Sequence, residues 1–233
     1  MTNSGLEKLL AYQFNDSELL NLALTHRSYA SKNNERFEFI GDGALNFVIA
    51  LKLFELLPNS SEGDLSRLRA NLVSEAGLTK VAKNLGLGDY IQLGSGELKS
   101  GGFHRASILS DTLEAIFGAI YCDAGFDACQ KVILGLYREQ LQSLPDAASL
   151  KDPKTRLQEL LQSQQRPLPD YQVTLVSGEA HDQVFEVECC VDVEKQKADG
   201  KSICGKDICG KGKGSSRRKA EQQAAQQVLQ ILE

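Results

Sequence analysis

Apolar residues recur at helical spacing through residues 17–24, 37–57, 64–85, 111–122 and 126–144, which predicts amphipathic helices and no strand between residues 6 and 144. Ser61 followed by Asp64 reads as a helix start, and Pro58-Asn59 as the end of the helix before it. Gly86-Leu87-Gly88 and Gly94-Ser95-Gly96 read as loops. Residues 143–153 are small and polar with two prolines, so they read as a linker. Beyond them the period changes. Residues 154–164 read as a helix, whereas 171–176 and 184–193 alternate as strands. Residues 216–232 return to a helix with Ala220, Ala224, Val228 and Leu232 on one stripe. Asp199-Gly200 adds a hairpin turn signal. The pattern predicts an all-α domain followed by a small α+β domain of helix, three antiparallel strands and helix.

Acidic residues interrupt two of the apolar helices. At about 100° per residue, Glu35, Glu38 and Asp42 fall within roughly 60° of one another, and Asn46 and Ile49 share their face. Asp111 and Glu114 are neighbours on another helix at a spacing of i, i+3. An ionised carboxylate set among Phe39, Phe47, Val48, Ile116 and Phe117 costs several kcal/mol unless it is paired, protonated or bound to a cation. Oxygen-only ligands of this hard type suit magnesium or manganese. A competing reading makes Asp111 a helix N-cap with Glu114 at N3, and Asp42 a solvent-facing acid.

The 233 residues allow one sizeable core plus a small second domain. The net charge of −5 is uneven: residues 1–150 hold 13 Lys+Arg against 18 Asp+Glu, and residues 151–233 hold 13 of each. Within residues 195–219 there are nine bases and two acids, a run able to displace counterions from a phosphate backbone. No apolar run approaches the roughly 20 residues of a membrane span, and Met1-Thr2-Asn3-Ser4-Gly5 lacks the features of a secretory signal. A cytoplasmic location with no membrane partner is the expectation. Six cysteines, at 122, 129, 189, 190, 204 and 209, are expected as reduced thiols, because a chain with a good core needs no staples. Cys204 and Cys209 fit the spacing of a zinc knuckle poorly. His26 is expected to be a packing histidine, while Lys99, His104 and Arg105 flank a glycine-rich loop that could touch phosphate or be merely solvated.

The run Asn34-Glu35-Arg36-Phe37-Glu38-Phe39-Ile40-Gly41-Asp42 closely resembles the signature of bacterial ribonuclease III, the endonuclease that cuts double-stranded RNA. The resemblance continues through Ala23-Leu24-Thr25-His26-Arg27-Ser28, Glu62-Gly63-Asp64-Leu65-Ser66-Arg67, Gly96-Glu97-Leu98-Lys99-Ser100-Gly101-Gly102 and Asp111-Thr112-Leu113-Glu114-Ala115, in the family's order. It then covers most of residues 152–233, which resemble a double-stranded-RNA-binding domain. This implies a catalytic domain over 3–125 with a helical extension to about 144, a linker at 145–151 and an RNA-binding domain at 152–233. By resemblance, Glu38, Asp111 and Glu114 would ligate Mg2+, with Mn2+ a possible substitute. Asp42 and Glu114 would be catalytic, and Glu35 has a less defined role. The resemblance further implies hydrolysis to 5′-phosphate and 3′-hydroxyl ends, a homodimer in which each subunit cuts one strand, and no nucleotide cofactor. Implied substrates are ribosomal RNA precursors and structured messenger RNA.

A reader of A-form RNA should touch minor groove, major-groove phosphates and minor groove again. Three segments offer those contacts: Thr155 and Gln158 with Glu159 on one helix face, His181 in a loop, and Arg217, Arg218 and Lys219 at a helix start, which suits phosphate. The chain departs from the family pattern at Gly43, where Ser usually follows the Gly-Asp pair. A helix-interior glycine costs about 0.5–1 kcal/mol relative to Ala, but no carboxylate is lost and activity is expected to survive. A non-catalytic double-stranded-RNA-binding regulator is the alternative. All four of Glu38, Asp42, Asp111 and Glu114 are nevertheless present.

Overall fold

The computed structural model describes residues 3–179, 183–192, 195–196, 202–203 and 207–232. The chain divides into two compact units, Met1–Leu150 and Lys151–Glu233.

The first unit is built from α1 (Asn3–Leu10), α2 (Ser17–Ala23), α3 (Glu35–Leu56), α4 (Glu62–Leu72), α5 (Glu75–Asn84), α6 (Ser95–Lys99), α7 (Ala106–Ala124), α8 (Phe126–Leu136) and α9 (Arg138–Gln142). Side-chain caps explain several starts: Asp16 accepts from the Glu18 amide at 2.9 Å, and Ser61 from the Asp64 amide at 3.2 Å. The single helix expected over 64–85 is two. Ser74 caps α5 by accepting from the Gly77 amide at 3.1 Å, and a Cβ at Gly77 would sit 2.2 Å from the Leu72 carbonyl oxygen. That tight turn requires glycine. The helix expected over 126–144 likewise breaks, at the fully buried Tyr137.

Two long helices, α3 and α7, form the centre. Leu45, Val48, Ile49 and Leu53 from α3 and Leu113, Ile116, Phe117 and Ile120 from α7 are inaccessible to solvent, each contributing roughly 1.5–3 kcal/mol by burial. Helices α4 and α8 pack on α3, and α2, α5 and α8 on α7. Among the described residues of this unit, strand-like pairing is confined to one parallel bridge between Thr25 and Gln92. Part of the stretch expected as a linker folds back: Ala147–Leu150 forms a 3-10 turn whose Ala147 and Leu150 pack on the helical core.

In the second unit, α10 (Pro153–Ser163) and α11 (Arg217–Leu232) accompany an antiparallel sheet of β1 (Asp170–Ser177), β2 (Val184–Val191) and a last strand, in the order β1-β2-last. Between β2 and that last strand, β3 (Lys195–Gln196) pairs with β4 (Ser202–Ile203), so the last strand is β5 (Ile208–Gly214). The Asp199-Gly200 turn signal lies outside the described residues. Asp152 caps α10. Leu157, Leu161, Val187, Cys189, Ala220, Ala224 and Val228 make the core, on the stripe the sequence predicts for α11. Glycine alternates along β5 because α11 lies against it: a Cβ at Gly212 would be 2.1 Å from the Ala220 carbonyl oxygen.

The expectation of six reduced thiols is corrected here. Cys190 and Cys209 face each other in the register of β2 and β5 and form a disulfide, with Cα atoms 4.2 Å apart. Strand register, not a shortage of core, brings them together. The bridge also removes Cys190 and Cys209 from any zinc set; His181 and Cys204 lie outside the described residues.

Candidate active site

The site begins with two glycines. A Cβ at Gly41 would lie 1.8 Å from the carbonyl oxygen of Glu114, and one at Gly118 would lie 2.1 Å from that of Phe37. The backbones of α3 and α7 therefore touch at this crossing, which residues with larger side chains would prevent. Glu38 and Asp42 flank Gly41 on α3, and Asp111 and Glu114 precede Gly118 by one to two turns on α7. Close approach of the helices brings the acids together. One carboxylate oxygen from each of Glu38, Asp111 and Glu114 lies within 4.8 Å of the other two. Asp42 borders the same cleft and accepts a hydrogen bond from Asn46 Nδ2 at 2.7 Å.

This clustering is electrostatically uncomfortable. Burial, followed by repulsion from Asp42, Asp111 and Glu38, pushes the Glu114 carboxyl from its ordinary 4.5 up to about 8. Burial and then Asp111 and Glu35 raise Glu38, while burial raises Asp111 despite its hydrogen bond from Ser110. Among the described residues, none of Glu38, Asp111 and Glu114 has an ion-pair partner. The nearby cations are engaged elsewhere, Arg27 with Glu35 at 3.5 Å and Arg105 with Glu97 at 3.1 Å. Three half-buried, mutually repelling hard oxygens fit a small divalent cation, which would supply the missing positive charge.

The carboxylates open into a cleft of about 630 Å³ also lined by His26, Arg27, Asn34, Phe39 and Arg105. His26 is held by Ser28, whose backbone amide donates to its Nδ1 at 3.1 Å. It borders the cleft. Asn34 and Gly118 were not singled out by the sequence pattern; the signal for the first is its place at the head of the acidic motif. Two readings are corrected. Asp111 cannot be a helix cap, since α7 starts at Ala106 and places Asp111 in its second turn. Phe39 and Phe47 do not surround the acids as core, being 83% and 57% exposed. Both stand on the solvent side of α3, with Phe54 68% exposed on the same helix.

In the second unit, Thr155 is tied into the α10 cap, its hydroxyl 2.9 Å from Asp152 Oδ2, while Gln158 is exposed. Arg217, Arg218 and Lys219 are exposed at the start of α11. Arg217 Nε donates to the buried Glu221 at 2.9 Å, and Lys154 Nζ reaches the other oxygen of that carboxylate at 2.8 Å. Glu221 thus ties the starts of α10 and α11 together. His181 lies outside the described residues.

Comparison with known proteins accounts for both units. A family model described as Ribonuclease-III-like matches residues 16–141, and one described as Double-stranded RNA binding motif matches residues 153–232. The chain is 52% identical over 233 residues to Ribonuclease 3 of Vibrio vulnificus, covering 99% of this chain and 98% of that protein. It is 53% identical over 229 residues to Ribonuclease 3 of Alkalilimnicola ehrlichii, covering 98% and 95%. The nuclease domain of ribonuclease III from Campylobacter jejuni, described as flexible in a region involved in dimer formation, superposes with a TM-score of 0.60 at 45% identity. That match covers 61% of this chain and 100% of the other. A touching pair of helices that gathers four acids, matched along the length of these relatives, leads to one assignment: the chain belongs to the ribonuclease III family of endoribonucleases.

Proposed function

We propose that the chain hydrolyses double-stranded RNA with magnesium, for which manganese can substitute, leaving 5′-phosphate and 3′-hydroxyl ends. The observation that carries this reading is the convergence of Glu38, Asp111 and Glu114 within 4.8 Å. These three would hold the cation, which when bound lowers the pKa of a water and offsets charge on the phosphate. Asp42, fixed by Asn46 and beside Glu114, holds the attacking water and accepts its proton. The water oxygen bonds to phosphorus as the P–O3′ bond breaks and the departing O3′ takes a proton from solvent, so the phosphate remains on the 5′ end of the downstream product.

One site cannot reach both strands at once, and the exposed Phe39, Phe47 and Phe54 support a homodimer that covers them. In the second unit, Gln158 and the Arg217, Arg218 and Lys219 cluster are the RNA contacts, with Thr155 and His181 completing the proposed set. They read helix shape and phosphate, not base sequence. Natural substrates in this reading are ribosomal RNA precursors and structured messenger RNA in the cytoplasm. No described helix is long and apolar enough to cross a membrane.

Incubation of a labelled perfect RNA duplex with magnesium tests the proposal: wild type cuts, whereas Glu114→Gln binds without cutting. A gel shift without cleavage by both proteins would support a non-catalytic double-stranded-RNA-binding regulator instead.

A further inference from the structure

We propose that His26 is a further substrate-contacting residue, its Nε2–H donating to a non-bridging phosphate oxygen of the RNA strand that enters the carboxylate cleft. The inference rests on the nuclease reading above and adds a residue to it.

One side of the ring is held by the protein. The Ser28 amide donates to Nδ1 at 3.1 Å, and Ser28 Oγ stands 2.8 Å from the same nitrogen. That hydroxyl oxygen accepts from the Gly94 amide at 3.0 Å, which leaves its own hydrogen for the ring. A ring nitrogen that accepts an N–H carries no proton, so the neutral imidazole keeps its proton on Nε2. The loop that carries His26 is itself anchored, because the His26 amide donates to the Gln92 carbonyl at 3.1 Å and the Gln92 amide to that of Leu24 at 2.8 Å. Gly94 fits closely against this loop: a Cβ there would lie 2.2 Å from the Ser28 carbonyl oxygen.

The other nitrogen is unspent. Nε2 has no hydrogen-bond partner among the described residues, and on this half-buried ring it stays open to solvent, unlike the enclosed Thr112 hydroxyl. His26 lines the cleft together with Glu38, Asp42, Asp111 and Glu114. It stands close enough to Asp111 for a charge on the ring to oppose the rise that burial imposes on that carboxyl. The arginines on the same wall, Arg27 and Arg105, are paired to Glu35 and Glu97. A strand entering the cleft brings phosphate charge beside four acids, and a donor whose direction is fixed in advance stabilises that charge without reorganisation. The Ser28 clamp supplies the fixed direction and Nε2–H the donor.

The test is single-turnover cleavage of a labelled RNA duplex by the full chain with magnesium, alongside thermal melting and manganese titration of each variant. An Asn amide reaches only the place of Nδ1, whereas a Gln amide reaches that of Nε2. His26→Asn is therefore expected to cut roughly 10- to 100-fold more slowly than wild type, the range for loss of one hydrogen bond to a charged group. His26→Gln should cut several-fold faster than His26→Asn, with the melting temperature and manganese affinity of both variants close to those of wild type. A duplex with single 2′-deoxy sugars flanking the scissile step keeps its phosphates, so the His26→Asn effect should persist on it. Cleavage by His26→Asn within twofold of wild type, a His26→Gln variant no faster than His26→Asn, or a rate loss that tracks melting or manganese affinity would overturn the inference. Disappearance of the effect on the deoxy duplex would also overturn it, by assigning the bond to the sugar. Failure of wild type to cut the unmodified duplex would instead overturn the nuclease reading.

Discussion

Replacing Glu114 by Gln keeps the side chain's shape and removes a carboxyl whose ionisation the fold opposes. The folded-state value of about 8 stands above the ordinary 4.5, so the penalty for ionising Glu114 is absent below pH 4.5 and grows as pH rises toward 8. At pH 7.5 the gap corresponds to about 4 kcal/mol before screening. Glu114 is only half-buried and lines an open cleft, so screening brings this to roughly 1–2 kcal/mol. For a protein of this size that is a melting shift of about 2–8 °C. Metal-free Glu114→Gln should therefore melt above wild type at pH 7.5 and level with it at pH 4, as followed by calorimetry. Magnesium should raise the wild-type midpoint by mass action and raise that of the variant less. A variant that melts below wild type equally at both pH values would refute the reasoning, because it would make Glu114 a stabilising structural residue.

Gly43→Ala meets open space, with nothing within 4 Å of the added Cβ, and should stabilise α3 by about 0.5–1 kcal/mol in urea unfolding while leaving cleavage unchanged. Gly118→Ala meets the Phe37 carbonyl and must push α3 from α7; we expect a loss of several kcal/mol and of cleavage together, measured by melting and by RNA hydrolysis. Arg218→Ala with Lys219→Ala should weaken duplex binding and flatten its dependence on salt without lowering the melting temperature, as read by fluorescence anisotropy over a salt series. Arg217 is left in place because its bond to Glu221 holds the domain.

Much of the fold was legible because amphipathic period is a local property. The stripe of Ala220, Ala224 and Val228 follows from spacing alone, as does the shared face of Glu35, Glu38 and Asp42. Properties that depend on a second element were not legible. The competing reading of Asp111 as a cap stayed open because α7 starts without a side-chain cap at Arg105, leaving no mark of its first turn. Phe39 and Phe47 passed for core because helical spacing cannot separate a face that meets its own protein from one left in water. The Cys190–Cys209 bridge needs the pairing of β2 with β5, which no spacing along the chain reveals. The Gly41–Gly118 crossing that assembles the site depends on three-dimensional contact in the same way.

In this reading Glu38, Asp111 and Glu114 jointly hold one divalent ion. Anomalous diffraction from crystals of the wild-type chain soaked in manganese tests it most directly. A peak is expected about 2.0–2.3 Å from a carboxylate oxygen of each of the three residues, a distance typical of small hard cations. A saturating soak that places the metal elsewhere, and leaves these three oxygens without it, would show that they do not form the metal site.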